Sequence, residues 1–346
     1  MKIIIDAMGG DLAPIEPVKG GIQAHREFGV DIVFTGRRAD ILEALSKEGF
    51  SDVPDGVEII HCAEVIDNCD EAAMAWRHKP DSSLTVGLKL LKEGRGDAFL
   101  SAGSTGALLS GATLLVKRLP GVRRAAVAPT VPTGKGRAVL IDAGANAECT
   151  PEQMVQFAIM GAHYAELSMG IANPRVGLLN IGAEPSKGSE LYQQVHQQLA
   201  ALGEAGRLNF VGNIEGREAV AGDADVLVAD GFTGNIFLKT MEGTAAWFNQ
   251  EIKNILLRST VTKLAALTLK DGIAAFKRKC DYREIGGTAL LGISKPVIKA
   301  HGSSDAFAFR SAVKQAIAYA QGNVTEKIAA QLAEESAAAE HEKEVE

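Results

Sequence analysis

Lys187, Asn235, Lys239, Lys299 and His301 are the residues of this 346-residue chain best suited to hold an anion and stabilise a developing negative charge. Most lie in or near small-residue segments that follow short apolar runs. These segments are Asp6-Ala-Met-Gly-Gly-Asp11, Ser101-Ala-Gly-Ser-Thr-Gly106, Asp142-Ala-Gly-Ala-Asn146, Asn180-Ile-Gly182 with Ser186-Lys187-Gly188, Gly212-Asn-Ile-Glu-Gly216 and Asp230-Gly-Phe-Thr-Gly-Asn235. Hydroxyls, bare backbone N–H groups and helix starts at such turns suit phosphate or another oxyanion. One glycine-rich turn reads equally well as a tight turn that needs a positive φ. The repetition carries the weight, because loops leaving the carboxyl ends of parallel strands build the ligand site of an α/β sheet. All of these loops are therefore expected to converge on one rim of one sheet, which points to phosphate or acyl chemistry.

Other chemistries find less support. A dinucleotide fingerprint needs G-x-G-x-x-G between a strand and a helix, and Gly134-Lys-Gly136 instead precedes its strand. The same tripeptide lacks the spacer and the hydroxyl residue of a P-loop. The seven histidines show no H-x-x-x-H or H-E-x-x-H spacing, so no zinc site and no metal is assigned. Asp142 and Asp230 at strand ends could hold Mg²⁺, but carboxylates there more often cap helices or bind loop N–H groups. Cys149, just before a helix start, could be a nucleophile with His301 as its base; the competing reading is a small packed hydrophobe.

The elements that must position these groups are legible as alternation. Apolar runs at Ile3–Ile5, Ile32–Phe34, Val57–Ile60, Ala98–Leu100, Ala138–Ile141, Val176–Leu179, Leu208–Val211 and Val226–Val228 read as buried strands, separated by helical patterns such as Ser82–Glu93 and Met154–Met169. This predicts an α/β fold with a mainly parallel sheet covered on both faces. Thr150, Pro151 and Gln153 mark a capped helix start. The segment from Trp247 to Arg283 reads as a helical insertion, and 331–346 as an acidic tail beyond a single unit spanning 1–330. Four cysteines without a C-x-x-C pair and no secretory leader fit a reducing cytoplasm. A net charge of −7 gives no general attraction to nucleic acid.

Five linked motifs strongly resemble the phosphate acyltransferase (PlsX) family. They are Ile5-Asp-Ala-Met-Gly-Gly-Asp11, Ser101-Ala-Gly-Ser-Thr-Gly-Ala107, Leu178-Leu-Asn-Ile-Gly182, Asp230-Gly-Phe-Thr-Gly-Asn235 with Leu238-Lys-Thr240, and Val297-Ile-Lys-Ala-His-Gly-Ser-Ser304. The resemblance implies a homodimeric three-layer α/β/α Rossmann-like fold, similar to phosphotransacetylases and to isocitrate or isopropylmalate dehydrogenases, with no cofactor. It implies an enzyme that forms acyl phosphate from acyl-acyl-carrier-protein and inorganic phosphate, feeding a membrane glycerol-3-phosphate acyltransferase in phospholipid synthesis. The expected mechanism is direct phosphate attack on the thioester. Lys187 neutralises charge, Asn235 donates an N–H and His301 serves as acid for the leaving thiolate or orients its own turn. Asp6, Gly9, Gly10, Gly103, Ser104, Thr105, Asn146, Asp230, Thr233 and Lys299 are the expected binding residues. One departure is Ser104, where the family pattern has Asn. The alternatives are a phosphotransacetylase-like enzyme using a coenzyme A thioester, or a non-catalytic membrane-surface scaffold.

One segment is charged against the trend of the chain. From Lys253 to Arg283 eight bases face two acids, a net +6 in a chain whose remainder is then −13. With Leu257, Val261 and Leu264 at i, i+4 and i+7, this predicts a helical hairpin on an anionic membrane surface, a dimer contact, or both.

Overall fold

The computed structural model describes residues 1–67, 69–273, 276 and 282–345. Eleven strands form one sheet: β1 Lys2–Asp6, β2 Asp31–Gly36, β3 Val57–His61, β4 Ala98–Ser101, β5 Ala126–Thr133, β6 Gly136–Ile141, β7 Val176–Leu179, β8 Phe210–Ile214, β9 Val226–Val228, β10 Gly287–Leu291 and β11 Val297–Ala300. Their order across the sheet is β3-β2-β1-β4-β11-β10-β5-β6-β9-β7-β8. Seven of the eight expected runs are strands, and the eighth, Leu208–Val211, overlaps β8 only at Phe210 and Val211. β5, β10 and β11 are additional. Pro129 and Pro132 interrupt the pattern of β5, and β10 and β11 are short runs that open beside glycine or proline.

Alternation along each strand sends side chains to both faces. Ile3 and Ile5 join a core with Val18 and Ile22 of the helix Ile15–Phe28, Phe157 of the helix Pro151–Met169 and Phe309 of the helix Ala306–Gln321. Ile4 and Phe99 face the other way, onto Leu84, Leu88 and Leu91 of the helix Ser83–Lys92. Burying each of these large apolar side chains contributes roughly 2–3 kcal/mol. The result is the three-layer α/β/α architecture expected. At the predicted helix start, Gln153 Oε1 accepts the Thr150 N–H at 3.1 Å.

Strand direction is the unexpected feature. β1, β2, β3, β4 and β11 are mutually parallel, as are β6, β7, β8 and β9. Between the two sets lie three antiparallel pairings, β11 with β10, β10 with β5, and β5 with β6. An odd number of reversals makes the two parallel sets run in opposite directions. The expectation that all the polar loops meet on one rim is therefore corrected: the loops after β1, β4 and β11 leave one end of the strands, and those after β6, β7 and β9 leave the other. The halves nonetheless end on a common row. Ile5 pairs with Leu100, Leu100 with Ile298, Ile298 with Ala289 and Ala289 with Ala128. Asp142, just past β6, takes the N–H of Val127, one residue from that row.

The predicted insertion begins earlier than Trp247, within a single helix Gly231–Leu257, followed by Thr260–Thr268 capped by Ser259. Of that long helix only Gly231 and Gly234 are buried. Lys277, Arg278, Lys279 and Asp281, which enter the charge count of this segment, lie outside the described residues. The boundary drawn at 331 falls inside the helix Val324–Val345, which stays docked beyond it through buried Leu332 and a 2.9 Å Arg207–Glu335 ion pair.

β10 is held in register by a close approach at Gly286, where φ is +90° and an added Cβ would lie 2.1 Å from Ala312 N. Gly286→Ala therefore combines a disfavoured φ with a backbone clash, and is expected to lower stability by about 2–4 kcal/mol. A urea midpoint unchanged from wild type would refute this account of how β10 is seated.

Candidate active site

The first cluster gathers at the ends of β1, β4 and β11. The Ile5–Leu100 pairing sets Asp6 beside Ser101, and the Ser101 hydroxyl donates to Asp6 Oδ2 at 2.6 Å. Met8 N–H donates to Asp6 Oδ1 at 3.1 Å, and Gly103 N–H donates to Ser101 Oγ at 3.0 Å. Both side chains are fully buried. Burial pushes the Asp6 carboxyl up, against hydrogen bonds from Ser101, Ser83, Met8 and Gly9 that favour the carboxylate. An added Cβ on Gly9 would sit 2.6 Å from Asp6 Oδ2 and 2.7 Å from Gly103 N, so only glycine lets these two loops touch. Asp11 N–H reaches Gly302 O at 2.8 Å, tying in the third loop.

These loops enclose a cavity of about 350 Å³ lined by Gly10, Asp11, Ser104, Thr105 and Lys299 among others. Burial lowers the Lys299 ammonium to about 8, with Asp6 and Asp11 pulling it back up. Ser104 Oγ accepts from Ala107 N at 3.5 Å and so caps the following helix. The sequence-based assignment of N–H donors needs correction here. Gly9 and Gly103 turn theirs inward, to Asp6 and Ser101. Those of Gly10, Ser104 and Thr105 have no protein acceptor among the described residues. His301 is at the rim, where Nδ1 accepts from Ser303 N–H at 3.3 Å and pairs with Ser303 Oγ at 2.9 Å. An Nδ1 acceptor leaves the proton on Nε2 in the neutral ring.

The second cluster lies at the ends of β6, β7 and β9. Buried Asp142 accepts N–H groups from Val127, Ala145 and Asn146, together with Nδ2 of Asn146. Asp230 caps the long helix through Thr233 N at 2.8 Å and also accepts from Thr233 Oγ1 at 2.9 Å and from Tyr192 OH at 2.5 Å. Burial, reinforced by the bond to Asp230, raises the Tyr192 phenol. Both aspartates thus act as caps and loop anchors. Asn235 gives one amide N–H to Ala143 O at 3.1 Å, which leaves the second available. Lys187 is exposed on a loop fixed by two asparagines: Asn180 Nδ2 donates to Lys187 O at 3.2 Å and Asn213 Nδ2 donates to Glu184 O at 2.8 Å. Lys239 departs from the expected cluster and pairs with Glu242 at 2.8 Å on the helix surface. Cys149 is pushed up to about 11 by burial, as a packed thiol would be and a poised nucleophile would not.

The structure therefore brings Asp6, Gly9, Gly10, Gly103, Ser104, Thr105, Lys299 and His301 together, and separately Asn146, Asp230, Thr233 and Asn235, with Lys187 on the loop after β7. Sequence reasoning missed Tyr192 and the structural role of Ser101. Ser101 was findable from strand pairing; Tyr192, one residue of an amphipathic helix, left no signal.

Below pH 8 the folded protein carries the full cost of burying a charged Lys299, and the cost disappears by pH 10.5. Lys299→Met should thus gain about 2–3 kcal/mol of stability at pH 7 and lose that advantage above pH 10. Its affinity for inorganic phosphate should drop sharply. In the wild type that affinity should fall as pH rises through about 8. Calorimetric titration with phosphate at pH 7 and 9.5 checks both, and a wild-type affinity that is flat with pH would separate Lys299 from the anion.

Comparison with known proteins follows the same lines. A family model described as "Fatty acid synthesis protein" matches residues 1–327. The phosphate acyltransferase of Alkaliphilus oremlandii is 48% identical over 328 residues, covering 95% of this chain and 96% of that protein. The one from Thermoanaerobacterium thermosaccharolyticum is 46% identical, covering 91% and 92%. Among solved structures, a phosphotransacetylase from Streptococcus pyogenes superposes with a TM-score of 0.64 at 20% identity, covering 93% of this chain and 94% of that one. A Staphylococcus aureus phosphotransacetylase gives 0.58 at 17%, with the same coverage. At that identity the likeness concerns the fold.

Proposed function

The chain belongs to the phosphate acyltransferase family, enzymes of fatty acid synthesis, and from that membership we propose that it converts acyl-acyl-carrier-protein and inorganic phosphate to acyl phosphate and free carrier protein. The observation that carries this reading is identity of 48% over nearly the whole chain to a phosphate acyltransferase. The two clusters supply what such a reaction needs. Gly10, Ser104 and Thr105 offer N–H groups, and Lys299 a cation, to phosphate. One phosphate oxygen attacks the thioester carbonyl, the C–O bond forms, and the carbonyl oxygen carries the charge until the C–S bond breaks. Lys187 and the second N–H of Asn235 stabilise that charge, and the departing thiolate takes a proton from His301 when that ring is in its imidazolium form, which returns it to neutral imidazole. The carboxylates of Asp142 and Asp230 orient the loops. The reaction as written draws on no cofactor and passes through no acyl-enzyme.

Incubation with an acyl-carrier thioester should release thiol only when phosphate is present, with acyl phosphate trapped as its hydroxamate. Thiol release without phosphate would mean a hydrolase, and a faster rate with acyl-coenzyme A would move the chain to the phosphotransacetylase-like alternative. Lys187→Ala and Asn235→Ala should each lower kcat by about 10²-fold or more, the loss of one oxyanion donor. Wild-type rates in both would show the site to be elsewhere.

The lipophilic product belongs at a membrane. No helix among the described residues is long and apolar enough to cross one. Leu257, Val261, Leu264 and Leu267 are all exposed, with Val261 at 74%, in the basic segment. This supports peripheral docking on anionic lipid beside a membrane glycerol-3-phosphate acyltransferase, with a homodimer as the acting species. Leu264→Glu should weaken flotation with anionic vesicles at unchanged activity toward soluble substrate. Flotation equal to wild type would reduce the segment to a structural role.

A further inference from the structure

The segment 117–124, which leads into β5, carries charge that the proposed reaction does not use. Lys117, Arg118, Arg123 and Arg124 are all exposed, and none of them forms an ion pair among the described residues. Four bases and no acid give these eight residues a local charge of +4 in a chain of net −7. Their backbone is fixed. Leu119 and Val122 are buried in the core, Leu119 N–H donates to Gly292 O at 2.9 Å, and Ser294 N–H donates to Lys117 O at 2.9 Å. Gln156, on the helix Pro151–Met169, clamps the segment twice: it accepts from Arg123 N–H at 2.9 Å and donates to Gly121 O at 2.9 Å. The Arg118 guanidinium donates to Arg123 O and draws the two ends of the segment together. Like charges held in this way repel one another, and an anionic partner would meet cations already arranged.

The segment adjoins the second cluster. β5 begins at the end of the sheet where antiparallel β6 finishes. Asn146 Nδ2 donates to Ala125 O at 2.8 Å, next to Arg124, and the Arg124 charge reaches Cys149. Asn235 is bonded to Ala143 O in the same loop as Asn146. Lys187 follows β7, three strands from β5, or about 14 Å away across the sheet at roughly 4.8 Å per strand. A carrier protein presents its thioester on an extended prosthetic arm, so it docks at a distance from the reacting carbonyl.

The chemistry of the segment selects the kind of partner. Guanidinium forks pair with carboxylates through two parallel N–H bonds. Docking on lipid combines charge with inserted apolar side chains, and both aliphatic side chains of this segment, Leu119 and Val122, are buried. We propose that Lys117, Arg118, Arg123 and Arg124 dock the acidic surface of the carrier protein that delivers the thioester. That partner is the acyl donor of the reaction proposed above, and the docking surface stands only if that reading does. The complex forms by charge pairing at the edge of the site, so its affinity depends on salt.

Binding of a fluorescently labelled acyl-carrier protein to the full-length chain tests this, in low and high salt. Wild-type affinity should fall steeply as salt rises, and an affinity flat with salt would overturn the proposal without recourse to any variant. Arg123→Glu combined with Arg124→Glu should weaken carrier binding at low salt about tenfold or more, with the loss in turnover carried by KM and kcat near wild type. Affinity for inorganic phosphate and the urea midpoint should not move. Carrier binding equal to wild type in this variant would place the docking surface elsewhere, and a parallel loss of phosphate affinity or stability would make the segment a support of the fold instead. Unchanged carrier binding with weaker flotation on anionic vesicles would assign the four bases to lipid. A wild-type chain that ignores the carrier protein and releases thiol from acyl-coenzyme A would overturn the proposed reaction and this surface together, whereas a failure confined to the variant leaves the reaction in place.

Discussion

The antiparallel placement of β10 is the constraint on which the rest of this structure depends. It pairs with β11 on one side and β5 on the other, and each pairing reverses direction. The chain reaches this arrangement late. β5 and β6 form a local hairpin, as do β10 and β11, whereas the pairing of β10 with β5 joins segments some 160 residues apart in sequence. Non-local pairings of this kind carry a loop-closure cost that must be met by burial. Ala289, Leu290 and Leu291 are fully buried, and Leu290 and Leu291 belong to opposite faces of the core. β10 therefore joins both layers at once, and both parallel sets depend on it.

Around that seam, buried carboxylates organise the loops. Asp6 and Asp142 occupy the first positions at and beyond the ends of β1 and β6, and each gathers several donors. Burial alone would drive such groups toward the neutral form, and the loop N–H groups oppose it. The hydrogen bonds consumed in this way fix the loop conformation. Those left over, at Gly10, Ser104, Thr105 and one proton of Asn235, are then held in place before any ligand arrives, which is what electrostatic stabilisation of a transition state requires.

Much of this was legible in the sequence. Parallel strands with buried faces read as continuous apolar runs; seven of the eight such runs are strands and the eighth, Leu208–Val211, is displaced by two residues from the start of β8. Asp6, Gly10, Ser104, Lys299 and Asp230 stand at a cavity or a cap because turn residues at strand ends are constrained by local geometry. The strands that went unread are the ones that set direction. β5 carries two prolines, and β10 opens on Gly287 and Thr288 and is followed at once by Gly292, so its apolar residues sit inside a glycine-bounded stretch that reads as a turn. With those missing, the same motifs imply one rim instead of two. Tyr192 was equally hidden, since its bond to Asp230 joins residues 38 apart.

Lys299 shows how the two levels connect. A lysine whose ammonium is lowered to about 8 by burial sits where hydrophobic packing would be more stable. Its charge is opposed by burial and supported by Asp6 and Asp11 and by the carbonyls of Ala102 and Ala300, to which the ammonium donates. Such a residue is costly in the empty site and repaired by an anion, so binding and stability are linked through one group. With phosphate present the balance is reversed, because Asp6 and Asp11 now add to the charge of the anion. An anion held there would need a second cation to balance those acids, and the exposed Lys187, on the loop after β7, is not among the residues that line the cavity.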